Sequence, residues 1–250
     1  MFGPLSLGLL FLLFSTIGLY EIYDLLQHNK TSAPRWFAGM SIGVLIYLLL
    51  FLIATDSLDP KWLWVLALLI PLFFFMELIR LDRSALTNLA VTIFGWVYVI
   101  IPFALINYLP MVNGRFEFEI PLGFFLILWA NDTGAYFIGK FLGKRKLYES
   151  VSPNKTWEGL AGGILLSFIV SYILSTYFLM LSLNDWAVMA IIIALFGNLG
   201  DLFESHLKRI FGVKDSGNLI PGHGGVLDRF DGLFLTLPVL IFYFKIIYTL

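Results

Sequence analysis

The chain has 250 residues, of which 59% are hydrophobic and only 13% are charged, and it contains no cysteine. Soluble domains are about half apolar and about a quarter charged, so this composition excludes an ordinary soluble protein and indicates a membrane protein. Disulfides and cysteine-ligated metals are excluded. The net charge of −1 says nothing about binding partners. We expect no binding to nucleic acid.

Long apolar runs follow one another along the whole chain. A bilayer core needs about 20 apolar residues per helix, and none of the runs alternates as the strands of a membrane barrel do. We therefore predict an all-α polytopic membrane protein with about eight transmembrane helices around a cytoplasm-facing polar cavity. The spans are expected at residues 5–26, 36–54, 61–80, 86–109, 119–142, 159–181, 186–206 and 230–249.

Basic residues are distributed unevenly over the predicted loops. Of the 16 Lys and Arg residues, 13 fall in the loops after the first, third, fifth and seventh spans, and the other three are Lys61, Arg115 and Lys245. The positive-inside rule then places these four loops in the cytoplasm and both termini outside.

Small residues recur at four-residue spacing in three of the predicted spans. The pairs are Gly39/Gly43, Gly139/Gly143 and Gly159/Gly163. This spacing lets helices approach closely, and we interpret it as packing within one subunit.

Few charged residues fall inside the spans. Asp132 lies in the middle of the fifth span, beside Asn131. A charge at the bilayer centre costs about 2.5–3.5 kcal/mol, so it must face protein or water. We predict a functional role for Asp132; the alternative is that it only joins two helices by a hydrogen bond. Glu21, Asp24 and Glu77 stand near the cytoplasmic ends of their spans and are predicted to be structural.

The seventh span ends in a polar stripe. Asp201, Glu204, Ser205 and Lys208 stand at i, i+3, i+4 and i+7, and therefore share one helical face. The stripe is predicted to be functional. The alternative is that Glu204 and Lys208 only form an ion pair, which would not explain why Asp201 lies on the same face.

The fifth loop contains "ESVSPNKTWEG", residues 149–159. Thr156 or Asn154 is predicted to cap a helix that begins near Trp157. Free backbone amides, a hydroxyl and Lys155 would then converge at a helix N-terminus, which favours anions. An ordinary capped loop is the alternative.

The seventh loop, residues 208–232, is much longer than a connection requires. Its glycines 222, 224 and 225 would let the backbone approach a ligand. Asp228 and Asp231 can face the same way, and with Asp201 they would suit Mg²⁺, which takes one or two carboxylates together with phosphate oxygens. A single His223 without cysteines argues against zinc. These residues predict a metal-dependent phosphoryl or nucleotidyl transferase acting on a lipid at the cytoplasmic face.

The stretch "SHLKRIFGVKDSGNLIPGHGGVLDRFD", residues 205–231, resembles the signature of the phosphatidate cytidylyltransferase (CDP-diacylglycerol synthase) family. "SPNKTWEG" at 152–159, "NDTGAY" at 131–136 and "GDLFES" at 200–205 are similar to other blocks of that family. The resemblance covers the chain from roughly residue 120 onward. We accordingly divide it into N-terminal transmembrane helices, 1–118, and a C-terminal catalytic region, 119–250.

The resemblance implies transfer of CMP from CTP to phosphatidic acid, with Mg²⁺, in a homodimer in the bacterial inner membrane. Asp201, Asp228 and Asp231 are expected to hold the metal, with Lys208 and Arg229 as further catalytic groups. The expected substrate-binding residues are Asp132, Ser152, Asn154, Lys155, Thr156, Arg209, Lys214, His223, Gly224 and Gly225. Bacterial members usually have one more apolar segment before the equivalent of 5–26, so we expect a short variant or a start placed too far downstream.

Two other functions fit part of the pattern. One is a CTP-using enzyme for another lipid, such as a polyprenyl alcohol kinase or an ether-lipid synthase, which would need a general base beyond His223. The other is an ion-coupled transporter that uses Asp132, Asp201 and Glu204 as a relay. It predicts broken helices in both halves, whereas the polar residues here gather in the C-terminal half.

Overall fold

A computed structural model describes residues 3–27, 33–80, 84–112, 114–217 and 224–248. Within this part of the chain, seven helical runs are long and apolar enough to cross a membrane, and they fall on seven of the eight predicted spans. The remaining predicted span, 119–142, is one continuous helix that carries Asn131 and Asp132. The prediction of an all-α polytopic membrane protein is confirmed.

The described helices are α1 (Pro4–Gln27), α2 (Trp36–Ala54), α3 (Val65–Arg80), α4 (Ala85–Gly95), α5 (Ile101–Leu105), α6 (Glu119–Leu142), α7 (Trp157–Tyr177), α8 (Leu183–Ile192), α9 (Asn198–Ile210) and α10 (Leu227–Tyr248). Shorter 3₁₀ turns cover Pro60–Trp64 and Ile106–Met111, and π-helical turns cover Trp96–Ile100 and Ile193–Gly197. Two short antiparallel strands, β1 (Lys146–Tyr148) and β2 (Ser152–Thr156), pair in a hairpin that we did not expect from the sequence.

The chain folds into two compact units. Unit 1 comprises Met1–Tyr108 and Phe211–Arg229, and unit 2 comprises Leu109–Ile210 and Phe230–Leu250. The segment Phe211–Arg229, which lies in the seventh predicted loop, therefore packs with the N-terminal helices. The functional division at residue 118 stays a prediction.

In unit 1 the side chain of Tyr23 organises the packing of α1, α2 and α4. Its ring lies against Gly39 and Gly95, where an added Cβ would clash with it. Its hydroxyl donates a hydrogen bond to the carbonyl of Thr92 at 2.9 Å, and the indole of Trp96 donates to the carbonyl of Gly39 at 2.7 Å. The small residue at Gly39 thus serves helix packing inside the subunit, as predicted.

A buried ion pair joins α3 to the start of α2. The guanidinium of Arg35 donates to both carboxylate oxygens of Glu77. The distance from Arg35 Nη2 to Glu77 Oε2 is 2.5 Å. Glu77 is 6% exposed. This pairing agrees with the structural role predicted for Glu77, because a buried carboxylate needs a partner.

In unit 2 the helices α6 and α7 approach each other through small residues. A Cβ on Gly159 would lie 2.8 Å from the carbonyl oxygen of Ala135, and one on Gly163 would lie 2.6 Å from Asn131 Oδ1. A Cβ on Gly143 would likewise lie 2.8 Å from Thr156. The predicted close packing within one subunit is confirmed for these glycines.

At the other end of unit 2, Asp185 joins α8 to α10. Its carboxylate forms a capping box with Ser182 and accepts hydrogen bonds from the hydroxyls of Tyr243 at 2.8 Å and Tyr248 at 2.6 Å. Asp185 is buried, and these donors satisfy its carboxylate.

The π-helical turn Ile193–Gly197 leads directly into α9. The amide side chain of Asn198 donates to the carbonyl of Ala194 at 2.7 Å, which satisfies a carbonyl where the helical bonding pattern changes. Such turns are frequent at functional sites, and this one ends four residues before Asp201.

Candidate active site

The hairpin delivers Lys155 to the start of α7. The hydroxyl of Thr156, the last residue of β2, accepts a hydrogen bond from the amide of Gly159 at 3.1 Å and so caps α7, which begins at Trp157. The predicted cap and helix start are both confirmed. Because the cap orients the end of the strand, the preceding side chain, Lys155, has a defined direction.

Lys155 forms an ion pair with Asp201. Its ammonium nitrogen lies 2.6 Å from Asp201 Oδ2 and 3.3 Å from the carbonyl oxygen of Asn198. The other carboxylate oxygen, Asp201 Oδ1, accepts from the hydroxyl of Ser205 at 3.3 Å. The Lys155 side chain is 18% exposed and that of Asp201 is 39% exposed, so both groups remain accessible to a small solute.

Helices α9 and α10 meet at a point of close backbone contact beside Asp201. A Cβ on the neighbouring Gly200 would clash with the carbonyl oxygen of Asp231. This contact brings Asp231 near Asp201, and the charges of Asp132, Asp201 and Asp231 are close enough to interact with one another and with Lys155. Three predicted carboxylates and one predicted lysine are therefore gathered in unit 2.

Asp132, Asp201 and Lys155 border a cavity of about 240 Å³. Its lining residues come from α6, the hairpin, the start of α7 and the start of α9. They are Asp132, Ala135, Tyr136, Leu147, Asn154, Lys155, Thr156, Gly159, Leu160, Asn198 and Asp201. The cavity is small, and its lining combines carboxylate, ammonium, amide and hydroxyl groups with apolar side chains. A charged ligand group can therefore bind to the polar groups in it.

In the described part of the chain, no three carboxylate or imidazole side chains stand close enough to hold a metal ion among them. Mg²⁺ needs fewer protein ligands than this, since it binds through one or two carboxylates and completes its shell with phosphate oxygens and water. The donor chemistry of Asp201 and Asp231 fits that mode of binding.

Glu204 and Lys208, which share a face of α9 with Asp201, form an ion pair at 3.2 Å. Glu204 is 2% exposed and the Lys208 side chain 13% exposed. The sequence-based alternative for this pair is therefore confirmed, and the pair is buried rather than at the surface. A phosphate contact for Lys208 stays a prediction.

In unit 1 the end of the seventh loop is closed by Asp228. Its Oδ2 accepts hydrogen bonds from the amide and hydroxyl of Ser216, both at 2.9 Å, and from the amide of Gly225 at 2.8 Å. Gly224 has a φ of +80°, as glycine permits. A Cβ at Gly224 would lie 2.7 Å from Asp228 Oδ2. Gly224 and Gly225 thus approach the carboxylate of Asp228. The binding of a metal ion by Asp228 stays a prediction.

Among the remaining predicted site residues, the side chains of Arg209, Lys214 and Arg229 are exposed, and Ser152 is partly buried. His223 and Gly222 lie outside the described residues.

Sequence reasoning did not connect two residues with the loop closure: Ser216 was not singled out, and Glu21 was predicted to be structural. Glu21 is buried in α1, and its carboxylate accepts hydrogen bonds from the amides of Val226 and Leu227. A signal for it existed, because a carboxylate inside an apolar span marks a functional residue by default. Ser216 has no such signal.

The fold and this cavity define a polytopic helical membrane protein with an acid–lysine site. The model of the cytidylyltransferase family matches residues 1–247, and the chain belongs to that family.

Phosphatidate cytidylyltransferases of staphylococci are similar to this chain. That of Staphylococcus aureus (strain COL) is 53% identical to it over 118 residues, and those of Staphylococcus haemolyticus and Staphylococcus epidermidis (strain ATCC 12228) are each 52% identical over 118 residues. Each alignment covers 46% of this chain and 45% of the relative, so it spans a little under half of the curated relatives' length.

Proposed function

We propose that the protein is a phosphatidate cytidylyltransferase, which transfers CMP from CTP to phosphatidic acid and releases pyrophosphate. Family membership and the phosphatidate cytidylyltransferases among the relatives support the reaction. The observation that carries the proposal is the pairing of Lys155 with Asp201 at a cavity that Asp132 also lines, in an otherwise apolar protein. This arrangement suits a phosphorylated ligand that reaches the site from within a membrane.

The chemistry places modest demands on proton transfer. A phosphate oxygen of phosphatidic acid attacks the α-phosphorus of CTP, a new P–O bond forms, and the bond to the β-phosphate oxygen breaks as pyrophosphate leaves. The attacking phosphate is already ionised at neutral pH, so no strong general base is required. Two polyanions must instead be brought together, and catalysis comes from positioning and charge neutralisation.

Mg²⁺ is part of the proposal. Asp201 and Asp231 would hold it, with Asp132 nearby, and Asp228 is a further sequence-predicted ligand. When bound, Mg²⁺ would neutralise phosphate charge and stabilise the leaving pyrophosphate.

Lys155 is assigned to a CTP or phosphatidate phosphate. Its ammonium group is held by Asp201 and the carbonyl of Asn198, and a compact ammonium group binds phosphate as a point charge. Asn154 borders the same cavity and can offer its amide. The hydroxyl of Thr156 is engaged in capping α7, so its contribution is to orient Lys155.

The cellular setting belongs to the same proposal. The bacterial origin of the relatives and the charge distribution of the loops support a bacterial inner-membrane protein whose active site faces the cytoplasm. We also propose a homodimer, on the basis of the family resemblance.

The test is transfer of label from CTP into lipid, with α-³²P-CTP to detect CMP transfer and γ-³²P-CTP to detect a kinase. Purified protein is incubated with Mg²⁺ and phosphatidic acid, and in parallel with a polyprenol or an ether-linked glycerol phosphate. We expect lipid-soluble label and stoichiometric pyrophosphate with phosphatidic acid, no reaction with the polyprenol, and loss of activity with chelator that added Mg²⁺ restores. Transfer to the polyprenol alone, or no transfer to phosphatidic acid, would contradict the proposal.

A further inference from the structure

Glu21 is a buried carboxylate in α1 whose two oxygens hold the beginning of another helix. The amide of Val226 donates to Glu21 Oε1 and the amide of Leu227 donates to Glu21 Oε2, both at 2.9 Å. Leu227 is the first residue of α10. A side chain from the N-terminal helix therefore satisfies two amides at the start of the helix that carries Asp228.

This contact is favourable for two physical reasons. The first amides of a helix have no partner inside the helix, and a carboxylate that accepts from them also interacts well with the positive end of the helix dipole. A buried carboxylate without such donors would be strongly unfavourable. Glu21 is only 4% exposed, so its position and the starting point of α10 depend on each other.

The loop backbone leaves no room around this carboxylate. A Cβ on Gly217 would lie 2.7 Å from Glu21 Oε1, and a Cβ on Gly225 would lie 2.6 Å from both oxygens. A larger residue at either place would have to displace the Glu21 carboxylate. Gly217 and Gly225, two glycines of the seventh loop, therefore both lie against the Glu21 carboxylate.

Glu21 and Asp228 act on the same backbone segment. Gly225 donates its amide to Asp228 while its Cα side faces Glu21, and Asp228 also accepts from Ser216. A shift of the Glu21 carboxylate would move Gly225 and the first turn of α10, and with them Asp228.

We propose that Glu21 is a positioning residue for the reaction, which places Asp228 and Arg229 by holding the start of α10. It touches no reacting atom in this assignment. The inference rests on the proposed function, since it concerns the same transfer reaction, and it adds a residue of α1 that lies outside the part of the chain carrying the family-like motifs.

Glu77 provides a matched comparison. It is also a buried carboxylate of unit 1, but its partner is the guanidinium of Arg35. Loss of Glu77 should destabilise unit 1 without changing the start of α10. Asp24, one turn further along α1 and exposed, serves as a control for charge on the same helix.

The experiment compares Glu21→Gln, Glu21→Asp, Glu77→Gln and Asp24→Asn, with kcat expressed per folded, monodisperse protein. Gln keeps one acceptor oxygen but turns an NH₂ group toward an amide, whereas Asp keeps charge and both oxygens. We expect Glu21→Gln to lower kcat about 10- to 100-fold, because small misplacements cost that much, with KM for CTP within about twofold. Glu21→Asp should retain more activity, and Asp24→Asn and Glu77→Gln should match wild type.

A second measurement is independent of the reaction. Hydrogen–deuterium exchange in the purified protein should rise in peptides covering residues 224–229 of Glu21→Gln and remain unchanged there in Glu77→Gln. If Glu21→Gln does not fold, Gly217→Ala, which displaces the carboxylate without removing it, takes its place and should show the same exchange and kcat pattern.

The outcomes separate the two proposals. Wild-type protein that never transfers label to phosphatidic acid contradicts the proposed function, while the exchange data still report on the anchor. Active wild-type protein with an unchanged kcat in Glu21→Gln overturns the positioning role. Equal losses of kcat in Glu21→Gln and Glu77→Gln overturn it as well, because they would reflect general destabilisation.

Discussion

The ammonium group of Lys155 lies 2.6 Å from the carboxylate of Asp201, although 46 positions separate them and they reach each other from a hairpin and from the first turn of α9. In an apolar environment each charge requires the other, because an unpaired charge there is costly. A substrate phosphate or a metal ion that approaches the cavity must therefore engage a pair that is already formed.

Removal of the carboxylate at Asp201 should abolish most activity without preventing folding. We expect Asp201→Asn to lower kcat about 10²–10³-fold, because a group that stabilises transition-state charge typically contributes that much. Asp59→Asn, which alters an exposed ion pair with Lys61, is the control and should match wild type. The measurement is label transfer by protein that elutes as a single species, and near-normal transfer by Asp201→Asn would contradict the assignment.

Substitution of Lys155 should weaken phosphate neutralisation. Lys155→Gln is expected to lower kcat/KM for CTP about 10²-fold, and Lys155→Arg should restore only part of it, because a planar guanidinium does not replace a compact ammonium. The control is Lys146→Gln in the same hairpin, whose ammonium nitrogen contacts the carbonyl of Pro153 at 2.5 Å. Steady-state kinetics in CTP would show whether the two lysines differ, and equal losses would argue against a specific role.

The backbone contact between α9 and α10 predicts a contrast between two glycines one turn apart. A Cβ on Gly200 would clash with the carbonyl of Asp231, whereas a Cβ on Gly197 would meet its nearest atom, in Leu128, at an ordinary 3.5 Å. We expect Gly200→Ala to destabilise the protein by about 1–3 kcal/mol and to lower activity. Gly197→Ala should be tolerated. Thermal unfolding in detergent measures both, and equal stability of the two variants would contradict the close contact.

The cap on α7 predicts a moderate effect at Thr156. Thr156→Ala removes the hydroxyl that accepts from Gly159 and should cost about 1 kcal/mol, together with an increased KM for CTP because Lys155 loses its defined direction. Thr156→Ser keeps the hydroxyl and should retain most of both properties. If alanine and serine behave alike in unfolding and kinetic measurements, the cap does not orient the lysine.

Much of this arrangement could be predicted because its causes are local. Apolar runs of bilayer length predict the helices, a Thr before Trp157 predicts the cap, and the four-residue spacing predicts the Glu204–Lys208 pair. The hairpin was not predicted, since its strands are three and five residues long and such short runs have no clear periodicity.

The role of Glu21 could not be located because its donors are backbone amides 205 and 206 residues away. Backbone donors leave no mark in the side-chain sequence, and a pairing over that distance depends on the whole fold. In the structure the amide of Gly225 donates to Asp228 and its Cα faces Glu21, and its approach to a ligand stays a prediction.

The contact between Glu21 and the start of α10 also bears on how the protein is made. Chains are synthesised from the N-terminus, so α1 is produced before α10, and its carboxylate gains these donors only when α10 has followed. Until then the Glu21 carboxylate lacks the two amide donors that it has in the described fold. An incomplete chain is therefore less stable in the bilayer than the finished one, and a membrane protease that removes loosely packed helices would distinguish the two.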